Sequence, residues 1–144
     1  MNIGDLGGVA WNTPMAINGE GDVVGFSDPP GDADGSFIAH AFFWSRREGI
    51  RDLRTLPGDG TSQALGVNSR RQVVGESCGD VACRAVIWQH GRIHDLNSLM
   101  AAGFADSLAS AQDINEDGVI TGRLVEASTG KTVPFVATPR RNRR

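Results

Sequence analysis

One short pattern occurs three times along this chain of 144 residues. An apolar residue and an asparagine are followed by a small turn, by two residues that are mostly valine or isoleucine, and by a glycine. The copies span residues 17–25, 67–75 and 114–122, which is a period of roughly 50 residues. A single supersecondary unit of this size cannot bury its apolar face alone, so tandem copies indicate units stacked on one another. The sequence therefore predicts a repeat architecture.

The middle repeat shows the unit most clearly. Apolar segments alternate there with turn signals, and His90-Gly91 is a two-residue hairpin signal. The predicted strands of this repeat are 63–68, 72–77, 84–89 and 92–96. The same plan predicts strands at 14–18, 22–27, 39–45 and 50–54 in the first repeat, and at 109–115, 119–124 and 132–138 in the third.

Four short antiparallel strands are the content of one β-propeller blade. We therefore expect an all-β, β-propeller-like fold of three four-stranded antiparallel repeats. It would form a single domain over 1–139, followed by a basic disordered tail at 140–144. The repeats are expected at about 5–51, 52–94 and 95–139. A β-sandwich of the same strands is the alternative.

The phase of the repeat predicts how the blades would assemble. Residues Ile3–Leu6 look like a fourth strand without a blade, and the third repeat lacks a fourth strand. Because propellers have about 4 to 8 blades, two chains would complete a six-bladed ring where one chain cannot. We expect a homodimer in which Ile3, Asp5 and Leu6 of each chain complete the last blade of the other. An open three-blade fragment and a truncated chain are the alternatives.

Several of these segments resemble the HAF family of probable extracellular repeats. They are His40–Phe42 with Trp44, the Asp-Leu-X-X-Leu segments at 52–56 and 95–99, and the repeated core of asparagine and glycine. The chain departs from the His-Ala-Phe element at Arg84 in the second repeat and at Pro134 in the third. The resemblance implies secretion and a propeller-like fold. It implies no established activity.

Charge and hydropathy exclude several classes of partner. The net charge is −3, and the body is more acidic than this because four arginines lie in the tail. An acidic body argues against nucleic acid as a partner. No apolar run approaches the roughly 20 residues of a membrane span, and the first residues do not read as a signal peptide. The location stays open, since the family resemblance points outside the cell.

The long, variable loops predict a ligand-binding face, because variable loops on a rigid scaffold commonly carry binding. The candidates on this face are Asp28, Asp32, Asp34, Asp59 and Trp11. We expect a non-enzymatic repeat scaffold or binding module for a carbohydrate or a protein. The alternative is a small hydrolase or lyase that uses acidic residues of the same face. No nucleophile motif or phosphate loop is present, so no catalytic residue is assigned.

Two further patterns allow a specific chemistry. Asp113, Asn115 and Asp117 match the start of a calcium loop, but Leu124 stands where a bidentate acid is needed. A plain turn is the preferred interpretation, and no other cofactor is expected. Cys78 and Cys83 are placed to form a disulfide, with two free thiols as the alternative.

Overall fold

The computed structural model describes residues 1–140 and is built almost entirely of β-strands. Its strands are β1 (Thr13–Ile17), β2 (Val23–Ser27), β3 (His40–Ser45), β4 (Gly49–Asp52), β5 (Thr61–Val67), β6 (Val73–Cys78), β7 (Cys83–Gln89), β8 (Arg92–Asp95), β9 (Ser107–Ile114), β10 (Ile120–Val125) and β11 (Thr132–Ala137). A 3₁₀ turn at Leu96–Leu99 follows β8. The all-β prediction is confirmed, and the predicted strands agree with the observed ones to within about two residues.

The strands form three antiparallel sheets, one for each repeat. The first sheet has the order β1-β2-β3-β4, the second β5-β6-β7-β8, and the third β11-β10-β9. Gln89 pairs with Arg92 across a two-residue turn, as the His90-Gly91 signal predicts. The third sheet has no fourth strand within the described residues, which agrees with the sequence.

A glycine in the second strand of each sheet lets the bulged neighbouring strand approach closely. A Cβ added to Gly75 would lie 1.8 Å from the carbonyl oxygen of Gln63, and the clash is similar at Gly25 and Gly122. The pairing of β5 with β6 shifts register at this point, between Ala64 and Gly66. No side chain fits there, so the repeated glycine is a requirement of the bulge.

The sheets stack face to face around two apolar cores. Successive side chains of a strand point to opposite faces, so β6 gives Val73 to one core and Val74 to the other. The core between the first and second sheets includes Phe43 and Trp88. The core between the second and third sheets includes Ile87 and Phe135. Each added sheet therefore covers the face that the previous one leaves open.

The first residues of the chain do not form the predicted fourth strand. Ile3–Leu6 has no strand conformation. The Leu6 N–H donates to the Ser27 hydroxyl at 3.0 Å, just as the Leu56 N–H donates to Ser77 at 2.9 Å. Leu6 therefore corresponds to Leu56, and the segment matches the connection after β4. The single chain has no strand at Ile3–Leu6, and its pairing with a second copy stays a prediction.

Two remaining expectations concern the ends and the membrane. The basic tail predicted at 140–144 lies outside the described residues except for Arg140. In the described part of the chain, no helix has the length and apolar character that crossing a bilayer requires.

Candidate functional site

A cleft of about 680 Å³ opens where the first and second sheets meet. It is lined by the end of β4 and the residues after it (51–54), by the β5–β6 turn (70–72) and by the β7–β8 turn (89–92). Three buried side chains, Phe43, Val73 and Trp88, add an apolar part to the wall. Its volume is in the ordinary range of small-ligand pockets, about 300–1,000 Å³.

The cleft collects a large share of the positive charge of the protein. Five of the 14 basic residues line it, and we refer to it as the arginine cleft; they are Arg51, Arg54, Arg70, Arg71 and Arg92. A cleft lined by charge of one sign concentrates counter-ions from solution. The planar guanidinium fork matches carboxylate, sulfate and phosphate groups. The arrangement is suited to an anion, although the whole chain carries net negative charge.

Two of the five guanidinium groups already contact the protein. Arg71 Nε lies 3.1 Å from the nearly buried Asp22 carboxylate, and its guanidinium carbon is 5.4 Å from the centroid of the Phe43 ring. Arg51 lies over the same ring at 5.8 Å and makes a long, exposed pair with Glu48 at 3.7 Å. These contacts hold Arg71 firmly and Arg51 loosely at the wall.

The other three guanidinium groups, those of Arg54, Arg70 and Arg92, have no ion pair with any residue in 1–140. Their donors are therefore available to a bound molecule.

The backbone at Arg71 is unusual. The Arg71 N–H closes its turn by donating to the Asn68 carbonyl, as Gly21 and Gly118 do in the matching turns after Asn18 and Asn115. All three residues have positive φ, at 59° for Arg71, 81° for Gly21 and 80° for Gly118. Glycine adopts this conformation freely, whereas a side chain costs about 1 kcal/mol or more there.

Arg54 repeats this exception at a second position. Its φ is 66°, and the matching residue of the first repeat is Gly4 with φ of 87°. The match follows from the alignment of Leu6 with Leu56. Two arginines of one cleft thus stand where another repeat has glycine. Non-glycine residues held in this region concentrate at functional sites.

The one carboxylate in the lining is already engaged. Asp52 lies 2.9 Å from Nδ1 of His40 on the neighbouring strand. This bond raises the pKa of His40 above its usual value. Burial alone would raise the pKa of Asp52, but the bonds from His40 and from the Arg54 N–H hold it below its usual value. The lining carboxylate is therefore held in contact with His40 and with the Arg54 backbone.

The His40–Asp52 pair has a counterpart in the second sheet. Arg84 takes the place of His40, and its guanidinium lies 3.3 Å from Asp95. The same diagonal pairing of a cation with a carboxylate thus fastens the last two strands of both four-stranded sheets. His40 and Arg84 are best explained by this structural contact.

Of the predicted ligand-face residues, Asp28 and Asp32 lie in the interior. Both are fully buried. The Asp32 carboxylate accepts the N–H groups of Val9 and Ala10, each at 2.9 Å, and so ties the N-terminal segment to the loop after β2. Burial raises the pKa of Asp28, and its bond to Asp32 raises it further. Burial opposes the charge of Asp32 as well, but the Val9 and other N–H groups hold the pKa of Asp32 below its usual value.

Asp28 Oδ2 has no hydrogen-bond partner among the described residues. Neither side chain reaches the surface, and the expectation that they meet a ligand on the loop face stays a prediction.

The other three predicted ligand-face residues lie nearer the surface. Asp59 accepts hydrogen bonds from Ser77 at 2.7 Å and Arg84 at 3.3 Å. Asp34 is exposed and accepts the Ser36 N–H at 3.0 Å. Trp11 is half exposed, stacks edge to face on Phe37 and donates to the Gly35 carbonyl. Asp34 and Trp11 remain accessible, and Asp59 is committed to neighbours in the protein.

The calcium-like segment is the third copy of the repeat turn. Asn115 Oδ1 accepts the N–H groups of Asp117 and Val119, and Asp113 Oδ1 accepts the Ile114 N–H. These oxygens are used by the backbone, although a calcium site here stays a prediction. Cys78 and Cys83 are joined by a disulfide at the start of the β6–β7 loop.

Sequence reasoning missed the arginine cleft. Its residues come from three separate turns that are brought together only by the stacking of the sheets. One signal was present: Arg70-Arg71 replaces Glu20-Gly21 and Asp117-Gly118 of the matching turns. Comparisons with protein-family models, curated proteins and solved structures find no match. The resemblance to the HAF family therefore stays a prediction.

Proposed function

We propose that this protein is a non-enzymatic binding module that holds an anionic ligand in the arginine cleft. The observation that carries the proposal is the pair of arginines at glycine-type backbone positions, Arg54 and Arg71. Glycine stands at the place of Arg71 in both other repeats and at the place of Arg54 in the first repeat, so the fold does not require arginine at either place. A bound anion supplies a reason for retaining the two side chains there.

The chemistry of the lining favours binding over catalysis. Among the described residues that line the cleft there is no Ser, Thr, Cys, Lys or Tyr, and its carboxylate is bonded to His40. Glycoside hydrolysis commonly requires a pair of carboxylates. Gln89 and His90 add groups that can bond hydroxyls, whereas both polar atoms of Gln72 are bonded to Asn68 and Gln89. We propose an acidic carbohydrate as the ligand class, with arginines for its charges and these side chains for its hydroxyls.

Calorimetric titration at low salt tests the proposal, with an oligogalacturonate as the probe and a neutral oligosaccharide of equal length as its control. We expect binding of the acidic probe alone, with weaker affinity as salt screens the arginines. Inorganic phosphate is a third probe; if it binds as tightly as the oligogalacturonate, the ligand class is a simple anion. Failure of every anionic probe to bind would reject the anion site.

Arg54→Gly is the sharpest variant because it removes one guanidinium and relieves the left-handed backbone. The loss of one charge-assisted contact of about 1.5–3 kcal/mol should weaken binding roughly 10-fold to 100-fold. The same change should leave thermal stability equal or slightly higher, since glycine relieves strain of about 1 kcal/mol. Arg46→Ala is the matched control, because Arg46 is exposed and lies outside the lining. Equal affinity in the two variants would remove Arg54 from the site.

We also propose that two copies of the chain complete a propeller-like ring of six sheets. The support is that the three sheets stack in chain order, while the outer side of the first and third sheets has no further sheet within the described residues. Propellers need about 4 to 8 blades to close. An extracellular location also remains a proposal, and the Cys78–Cys83 disulfide supports it because disulfides persist in oxidising compartments.

A further inference from the structure

The geometry points to a head-to-tail interface between two copies, in which the outer face of the third sheet packs on the first sheet of the second copy. This inference rests on the proposed homodimer and specifies its contact. It replaces strand exchange by the N-terminal segment, since Leu6 is already bonded to Ser27 of its own chain. The two sheet contacts inside the chain are the template for the contact between chains.

The first half of the interface is the end of β1. Ile17, Val67 and Ile114 are matching residues, because each precedes the repeated asparagine and pairs with the start of the next strand. Val67 is 7% exposed and Ile114 is 6% exposed, and each belongs to a core shared with the preceding sheet. Ile17 is 68% exposed. The preceding sheet covers Val67 and Ile114, whereas no sheet within residues 1–140 covers Ile17.

The second half is the outer face of β10 and β11. Val136 pairs with Thr121 just as Phe43 pairs with Val24 and Ile87 with Val74. Phe43 and Ile87 are buried against the following sheet, whereas Val136 is 73% exposed. The third sheet therefore presents an uncovered apolar position at the place where a fourth sheet would pack.

A ladder of asparagines links the sheets and is open at both ends. Asn18 Nδ2 donates to the Asn68 carbonyl, and Asn68 Nδ2 donates to the Asn115 carbonyl, both at 3.0 Å. The exposed Asn115 has no matching acceptor within residues 1–140. The Asn18 carbonyl accepts only its own turn N–H, from Gly21. Asn115 in the third sheet thus offers a side-chain donor, and the Asn18 carbonyl in the first sheet offers an acceptor. Between two copies they would form the hydrogen bond that already joins neighbouring sheets.

These open ends commit the proposal to a second copy as the partner. A surface that repeats an internal contact is complementary to the opposite end of the same molecule, which makes the contact heterologous. Such contacts form a ring when the rotation closes and a filament when it does not. Two copies give a ring of six sheets, within the range in which propellers close.

Light scattering coupled to size exclusion, over a range of protein concentration, tests the interface. We expect a mass of two chains for the unaltered protein. Ile17→Lys and Val136→Lys should each give a monomer, with at least a tenfold rise in the dimer dissociation constant. Both positions are exposed, so folding is retained, and circular dichroism checks this. Val81→Lys, at a fully exposed position in the disulfide loop, is the control and should remain a dimer.

Asn115→Asp tests the proposed hydrogen bond from Asn115 Nδ2 to the second copy without removing the hydrogen bonds of the Asn115 turn. Aspartate keeps an oxygen for the Asp117 and Val119 N–H groups, and it removes the side-chain donor. Dimerisation should weaken while the fold remains.

Mixing the two lysine variants tests the head-to-tail geometry. The third sheet is unaltered in an Ile17→Lys copy, and the first sheet is unaltered in a Val136→Lys copy. In a mixed dimer these two unaltered sheets can pack on each other, which restores one of the two contacts. We expect dimer to reappear only in the mixture. If both lysine variants stay dimeric and deletion of residues 1–8 gives a monomer, strand exchange is correct and this interface is overturned. If the unaltered protein is a monomer, both this interface and the homodimer are overturned. The anion site is tested separately by titration and does not depend on the oligomeric state.

Discussion

Replacing each ladder asparagine by alanine should destabilise the protein in the order Asn68, then Asn18, then Asn115. Asn68 is fully buried and makes four side-chain hydrogen bonds. Its oxygen accepts two N–H groups of its own turn, and its nitrogen donates to Gln72 and to the Asn115 carbonyl of the next sheet. Asn18 makes similar bonds from a half-buried position, and Asn115 is exposed. The three residues have one local role and differ in their access to water.

The magnitude follows from the groups that alanine leaves without partners. At Asn68 these are the Arg70 N–H, the Gln72 N–H and Gln72 Oε1, whereas the Asn115 carbonyl keeps its bond from the Gly118 N–H. A buried polar group without a partner costs about 1–3 kcal/mol, so partial relaxation leaves a loss of about 3–5 kcal/mol. Water replaces the lost bonds at Asn115, and the loss there should be about 1 kcal/mol. Since domains are stable by about 5–15 kcal/mol, the Asn68 variant should melt on the order of 10 °C lower.

Urea unfolding followed by circular dichroism measures these losses, in a Val136→Lys background so that dimerisation does not contribute. Asn68→Asp is the informative companion variant, because it keeps the oxygen that serves the turn and removes the nitrogen that reaches the next sheet. Asn68→Ala and Asn68→Asp should both be strongly destabilised if the ladder joins the sheets. Equal losses at all three positions, or a loss below about 1 kcal/mol for Asn68→Ala, would refute the reasoning.

Two further predictions concern the carboxylates. The raised pKa of Asp28 means that the folded state binds its proton more tightly than the unfolded state, so this stabilisation is present at acidic pH and is lost as pH rises through the folded pKa. Asp28→Asn should therefore flatten the fall in melting temperature as pH rises above the ordinary Asp pKa of 3.8, and parallel curves for variant and parent would contradict the raised pKa of Asp28. Millimolar calcium should leave the melting temperature unchanged, because the Asn115 oxygen is bonded within its turn. A rise with calcium that disappears in Asp117→Asn would instead establish the site.

The strands were predictable because their signals are local. Alternation, turn residues and the period of the repeat lie within a few residues of one another, and tertiary packing did not override them. The phase of the first residues was not predictable in this way. In the sequence, Asp5-Leu6 resembles the first two residues of an Asp-Leu-X-X-Leu segment, such as Asp52-Leu53. In the structure, Leu6 matches the last residue of that segment, Leu56. Two hydrogen bonds distinguish the two alignments: the Leu6 N–H donates to Ser27, and the Gly4 N–H donates to Asn2 as the Arg54 N–H does to Asp52.

The site was harder to predict because it depends on long-range contacts. Asp28 and Asp32 lie in a polar loop, where acidic residues are ordinarily solvated. In the fold, Asp32 accepts the N–H groups of Val9 and Ala10, which belong to a different segment of the chain, and Asp28 accepts the Ile38 N–H. The arginine cleft has the same origin, since Arg51 lies in β4, Arg70 in the β5–β6 turn and Arg92 at the start of β8. Which residues meet there follows from the stacking of the sheets.

The internal repeats separate what the fold needs from what it tolerates. Asparagine and glycine recur in all three copies. The hydrogen bonds of the turn and between sheets explain the asparagine, and the bulge explains the glycine. At the turn positions of Arg70 and Arg71 the other copies have an acid and a glycine, and their turns close with the same hydrogen bond. The two left-handed arginines, Arg54 and Arg71, therefore cost the fold roughly 1 kcal/mol each. A ligand present at about 100 times its Kd would stabilise the native state by about 2.7 kcal/mol, which exceeds that strain. Occupancy of the arginine cleft is thus sufficient to offset the strained backbone on which it is built.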